Sequence, residues 1–179
     1  TDVTFHTDAV QAYGVLPIDV EALNVDLLSV SAHKLNGPKG IGFLYQRKGT
    51  PLSPILFGGE QERKRRAGTE NVPAIAAFAK AVEISLATMD ERAAAYSNYK
   101  QIFKSVLTNE GIEFSENGSN QMPHVLNLSL PGIDIESFLV NLDIAGVSAS
   151  SGSACTAGSI DPSHVLVAMF GEKAEQLRN

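Results

Sequence analysis

The sequence predicts an α/β fold, and three observations lead there. Up to Tyr45, short runs of β-forming residues are separated by turn residues. From Thr69 onward a helical repeat of apolar positions takes over. Beyond Gly111 strand-like and helix-like segments follow one another over a shorter span. The expected organisation is a sheet-bearing segment over residues 1–70, a long connecting helix over 71–110, and a small α+β domain over 111–179.

The elements follow from local chemistry. Val3-Thr4-Phe5-His6-Thr7-Asp8 alternates and is rich in β-formers, so it reads as a short strand ending at a carboxylate. Val25 to Ser31 reads as a buried strand that leads into Ala32-His33-Lys34. Asn36-Gly37-Pro38-Lys39-Gly40 makes a turn, and Ile41 to Tyr45 a third strand of the same sheet. Thr69 can cap the helix, Glu70 and Pro73 suit its first turn, and Ala76, Ala79, Val82, Ile84 and Leu86 recur at helical spacing. Gly111 is a natural terminator. His124 to Leu130 then reads as a strand, Ile135 to Leu142 as an amphipathic helix, Val147-Ser148 as a brief strand, and Pro162 as the opening of a last helix.

Bulk composition narrows the function. A net charge of −6 argues against nucleic-acid binding, because affinity for phosphate backbones comes from surplus Lys and Arg. The basic run Glu62-Arg63-Lys64-Arg65-Arg66 therefore reads as a solvated surface or a loop for small anions. No apolar run approaches membrane-spanning length, so no membrane partner is expected. The chain opens at Thr1 with no charged-then-apolar leader, which suggests a cytoplasmic protein beginning at a processing site or partway through a longer one. One cysteine, Cys155, excludes an internal disulfide framework and a multi-cysteine zinc site. His6 and His124 lie in strand-like stretches where a hydrogen-bonded structural histidine is the common case, and His164 sits at a helix start; no metal is assigned.

The densest constellation of polar groups is Asp8, Gln11, Ser31, His33 and Lys34, placed at strand ends, where open α/β sheets bind ligands. Pyridoxal phosphate needs a lysine amine, an acid for its pyridinium nitrogen and donors for its phosphate, and all three are present. Asp8 suits the acid. Ser31 and His33, two residues apart on extended backbone, share a face and can converge on one phosphate. A second point of interest is Cys155, set among Ser, Gly, Ala and Thr between Ala149 and Gly158. A lone cysteine is more often a buried structural residue, but these polar, flexible surroundings favour a working thiol.

His6-Thr7-Asp8-Ala9-Val10-Gln11 and Ser31-Ala32-His33-Lys34-Leu35-Asn36-Gly37-Pro38-Lys39-Gly40-Ile41-Gly42 resemble, in residues and spacing, the cofactor-binding region of cysteine desulfurases. These belong to the class V aminotransferase group of fold type I pyridoxal-phosphate enzymes. Gly58-Gly59-x-Gln61-Glu62-x-x-x-Arg66-x-Gly68-Thr69 is similar to that family's segment whose threonine reaches the phosphate of the other subunit. Ser150-Ser151-Gly152-Ser153-Ala154-Cys155-Thr156 is similar to the catalytic loop of the NifS/IscS type.

The resemblance implies that residues 1–70 are the later part of a pyridoxal-phosphate large domain with a parallel-rich sheet. Lys34 would carry the cofactor as a Schiff base, Asp8 would pair with the pyridine nitrogen, Gln11 with the phenolic oxygen, and Ser31 and His33 with the phosphate. Thr69 would serve the partner's site in a homodimer. Sulfur from L-cysteine would pass to Cys155 as a persulfide with release of L-alanine, and then to an iron–sulfur scaffold or another acceptor protein.

Family members also carry a long stretch ahead of the Asp8 strand and a substrate-carboxylate arginine beyond the position of Arg178. This chain is accordingly expected to bind the cofactor weakly or not at all and to be inactive alone. Competing readings are a selenocysteine lyase or class V aminotransferase, which needs no sulfur-accepting cysteine, a noncatalytic proteolytic fragment, and a Cys/His hydrolase built on Cys155 and His124, which leaves the Asp8 to Lys34 cluster unexplained.

Overall fold

Leu28 and Val30 are buried while their neighbours Leu27, Ser29 and Ser31 are half-buried, the period-two signature of a strand with one face on the core. This strand, β2 (Leu27–Ser31), is central. β1 (His6–Asp8) pairs with it in parallel, and β3 (Gly42–Gln46) lies antiparallel on the other side, giving the order β1-β2-β3. The sheet expected to be parallel-rich is thus mixed in these three strands. The computed structural model describes residues 3–119, 121–151 and 163–171, which fall into two units, Thr1–Tyr96 and Ser97–Asn179.

In the first unit the core is Ala9, Val25, Leu28, Val30, Ala32, Leu35 and Phe78. Fully burying one side chain such as Leu28 stabilises by about 1.5–3 kcal/mol. Arg47 pins the approach to β2: its guanidinium donates to Glu21 at 2.7 Å, to the Val25 carbonyl at 3.0 Å and to the Val20 carbonyl at 3.1 Å. The hydrogen bond to Glu21 raises the Arg47 pKa.

One helix was expected over 71–110, and the structure has two. α1 (Gln61–Lys64) is a single irregular turn, α2 runs Val72–Ala87, and α3 runs Met89–Asn109 at 65° to it. At the break stands Thr88, the cap residue of α2, whose hydroxyl donates back to the Ile84 carbonyl at 2.9 Å, a bond that often bends helices. Arg92 braces the corner. It donates to the Thr88 hydroxyl at 3.1 Å, to the Ser85 carbonyl at 2.7 Å and hydroxyl at 2.8 Å, and to the Gly14 carbonyl. Nor does Thr69 cap α2: Asn71 does, accepting from the Ala74 N–H at 3.2 Å. Asn71 stands immediately before the first helical residue, where a short side chain reaches the exposed N–H groups, whereas Thr69 is two residues too early. α2 is joined to the sheet through Phe78, stacked on Phe43 at 5.7 Å, with Tyr13 edge-on to Phe43 at 5.4 Å.

The second unit holds α3's later part, the strand pair β4 (Ser115–Glu116) and β5 (Leu128–Ser129), α4 (Ile135–Ile144) and α5 (His164–Phe170). β4 was not foreseen, and Val147-Ser148 is not a strand. The His124 to Leu130 run narrows to its two-residue β5. Asn117 is buried between the strands and donates to Asn127 Oδ1 at 2.7 Å and Ser129 Oγ at 2.8 Å. Asp134 caps α4 by accepting from the Ser137 N–H at 2.9 Å, and its hydrogen bonding to Ser137 holds its pKa below the ordinary value. Phe103, Leu107, Leu128, Phe138, Leu142 and Val147 help line an apolar cavity of about 470 Å³. Among the described residues no single helix is long and apolar enough to cross a membrane.

Candidate active site

Asp8 is where β1 ends. The Ala9 N–H still donates to the Ser29 carbonyl at 2.9 Å, after which the chain turns, with Ala12 and Tyr13 N–H groups donating to the Ala9 carbonyl at 3.0 and 2.8 Å. Ala9 is buried and anchors this turn. Asp8 Oδ1 accepts from the Val10 N–H at 2.8 Å, so one oxygen is committed to shaping the turn and the other has no partner among the described residues. Gln11 is exposed on the same turn.

Ser31 closes β2 and leads into a 3-10 turn, Ala32–Leu35. Residues three apart in such a turn lie on one side. Ala32 and Leu35 are both buried, so the two residues between them, His33 and Lys34, are exposed. The turn is fixed further by the Ala32 N–H to Ile41 carbonyl bond at 3.0 Å and the Gly37 N–H to Ala32 carbonyl bond at 2.9 Å. Gly37 suits this close approach, because a Cβ would press on the Ala32 carbonyl at 3.0 Å and the Ala81 methyl of α2 at 3.2 Å.

Because β1 and β2 are parallel with Asp8 opposite Ser29, the carboxylate and the Ser31-His33-Lys34 segment emerge at the same, carboxyl-terminal edge of the sheet. Ser31 Oγ and His33 Nδ1 share a hydrogen bond of 2.7 Å. Either imidazole tautomer leaves a donor for an anion: Nε2–H if the serine donates, the serine O–H if Nδ1 does. Lys34 Nζ forms no hydrogen bond or ion pair among the described residues, unlike Lys64, Lys80 and Lys104, each within 2.9 Å of a glutamate. His6, on the same sheet face, is held by Ser29 Oγ at 3.2 Å, a structural histidine.

Thr69 lies apart, exposed at the end of the loop that carries α1. No hydrogen bond or ion pair ties this loop to the strand-end cluster among the described residues. Within the loop, Gln61 Oε1 accepts from the Gly68 N–H at 3.0 Å and Arg66 Nη1 donates to the Gly68 carbonyl at 2.8 Å. Spacing alone assigns Gln61 and Arg66 no such task. The sequence signals are the place of Gln61 and Arg66 in the family-like segment Gly58 to Thr69 and the glycine pair Gly58-Gly59, since a Cβ on Gly59 would collide with the Gln61 amide. Cys155 lies outside the described residues, as do Gly152 to Pro162 around it and Arg178 near the chain end.

An acid and an amine at the carboxyl ends of a parallel strand pair, with a serine–histidine donor pair beside them, make a candidate ligand site at the strand ends of an α/β fold. The chain belongs to the class-V aminotransferase family, whose profile matches residues 1–174. A Bacillus subtilis protein bearing the IscS 1 name is 61% identical over 175 residues, 97% of this chain and 46% of its own length. The cysteine desulfurase IscS of Dictyoglomus turgidum is 45% identical over 170 residues, 94% of this chain and 43% of its own. Among solved structures, DndA from Streptomyces lividans superposes with a TM-score of 0.78 at 39% identity, covering 100% of this chain and 51% of that one. SspA in complex with cysteine gives 0.73 at 34% identity, covering 99% and 49%. The fold is therefore that of the NifS-like, fold type I enzymes. The chain spans less than half the length of these curated relatives.

The residues fit the cofactor this family uses. Pyridoxal phosphate calls for an amine, an acid and anion donors on neighbouring backbone, and one sheet edge supplies Lys34, Asp8, Ser31 and His33 together.

Proposed function

We propose that the whole protein is a cysteine desulfurase that takes sulfur from L-cysteine onto the Cys155 thiolate and releases L-alanine. The observation that supports this is the shared sheet edge of Asp8 and the Ser31-His33-Lys34 segment, which the turn of buried Ala32 and Leu35 makes rigid. Ser31 and His33 would bind the cofactor phosphate, Asp8 would hold the pyridine nitrogen protonated, Gln11 would meet the phenolic oxygen, and Lys34 would supply the amine. Bound there, pyridoxal phosphate is an electron sink that weakens bonds to the substrate's carbons.

Cys155 then does the sulfur chemistry. Its thiolate attacks the substrate sulfur, a sulfur–sulfur bond forms, the carbon–sulfur bond breaks, and the carbon takes up a proton to become alanine. Free thiols titrate near about 8.5, so reactivity at neutral pH calls for surroundings that favour the thiolate. The persulfide passes to an iron–sulfur scaffold or another acceptor protein. We further infer a cytoplasmic homodimer in which Thr69 serves the partner's cofactor phosphate. In support, Thr69 forms no hydrogen bond with the Asp8 to Lys34 cluster among the described residues, and Ile55 and Phe57 in the preceding segment are 89% and 87% exposed.

Two measurements test the reading. Added pyridoxal phosphate should give the intact protein a yellow absorbance that survives gel filtration and is lost in Lys34→Ala. Cysteine should then yield alanine and protein-bound persulfide, and Cys155→Ala should form no persulfide; equal turnover in both proteins would exclude the mechanism. The 179-residue chain by itself should bind the cofactor weakly or not at all.

A further inference from the structure

The loop from Gly58 to Thr69 is closed on itself. Gln61 and Arg66 hold the same residue, Gly68, from opposite ends: Gln61 Oε1 takes its N–H at 3.0 Å and Arg66 Nη1 gives to its carbonyl at 2.8 Å. Arg66 Nη1 also reaches the Thr69 carbonyl at 3.4 Å. Both backbone groups of Gly68 are thus occupied, and Thr69 follows directly.

Three further features show a built loop. Gly68 has φ +104°, a conformation in which a side chain would be strained. Glu62, Arg63 and Lys64 all take positive φ, at 52°, 57° and 66°. Such a left-handed turn of non-glycine residues persists only where surrounding contacts determine it. Here those contacts are the Lys64 N–H to Glu60 carbonyl bond at 3.1 Å, the Lys64–Glu60 ion pair at 2.9 Å, and the Gln61 clasp across the neck. Gly59 leaves the room that the Gln61 amide occupies.

We propose that Gln61 and Arg66 are positioning residues for Thr69: by clamping the Gly68 peptide they fix the backbone from which the threonine reaches the cofactor phosphate. The proposal rests on the reading of Thr69 as a phosphate ligand. It assigns the arginine nearest Thr69 to the loop's own carbonyls, leaving Arg63 and Arg65 as its outward charges.

The test compares pyridoxal phosphate with pyridoxal, which lacks the phosphate, by absorbance titration of the intact protein. Gln61→Leu and Arg66→Met should each weaken pyridoxal phosphate binding about three- to tenfold, the size of one or two hydrogen bonds, and leave pyridoxal affinity unchanged. Combined with Thr69→Ala, each should add nothing. Gln61→Glu keeps an acceptor for the Gly68 N–H and should restore the affinity. Equal losses for both aldehydes, additive effects, or no rescue by Gln61→Glu would overturn the clamp while Thr69→Ala still discriminates the two aldehydes. If Thr69→Ala itself fails to discriminate them, the phosphate role of Thr69 falls, and the clamp's role falls with it.

Discussion

The two units bury different things. In the first, every buried hydrophobic residue of the described chain is gathered around β2, from Ala9 and Val25 to Phe78. In the second, the described residues that are buried are polar, Asn117 and Ser129, and the leucines and phenylalanines of α3, β5 and α4 border an apolar cavity of about 470 Å³. The strand-end cluster of Asp8, Ser31, His33 and Lys34, the proposed cofactor site, is carried by the unit with the packed apolar core. Side chains there sit on backbone whose every turn has a buried anchor, Ala9 for Asp8 and the Ala32–Leu35 pair for His33 and Lys34.

This contrast can be broken by mutation. Leu28→Ala should cost the first unit about 2–5 kcal/mol, read as lost amide-exchange protection in β1 to β3. The same change at half-buried Leu128 should cost the second unit distinctly less; equal costs would remove the contrast. Asn117→Ala strips Ser129 and Asn127 of their donor, and should loosen the β4–β5 pair by about 1–3 kcal/mol, with the first unit's protection unchanged. Lys104→Met breaks the 2.8 Å pair with Glu116, an effect of about 0–1 kcal/mol that salt should erase.

The smallest effect should appear only in acid. Asp134 has its pKa lowered in the folded chain by Ser137, so its stabilising contribution is complete above the unfolded value and is lost as pH falls through the folded one. Asp134→Asn still caps α4 but cannot titrate. Its helicity should therefore show a shallower acid limb by circular dichroism, and superposable curves for the two proteins would dismiss the capping role.

Much of the first unit was legible in the sequence because its signals are local. The run from Val25 to Ser31 marks β2, the Asn36 to Gly40 turn separates it from β3, and Asp8, Ser31, His33 and Lys34 stand at strand ends by spacing alone. What escaped depends on side chains meeting backbone. Thr88 looks like any residue of a helical repeat until its hydroxyl turns back to Ile84, and the two-residue β4 exists only through its register with β5. The Gln61 clasp crosses seven residues of loop, a distance at which residue identity carries no direction.

The corner at Thr88 has one more consequence. The guanidinium of Arg92 rests on carbonyl and hydroxyl oxygens of Gly14, Ser85 and Thr88, and no carboxylate takes part in the bonds described. None of those acceptors gains or loses a proton at any pH the protein would survive. The bonds that Arg92 makes at the start of α3 are thereby insulated from acidity, unlike the Asp134 cap of α4.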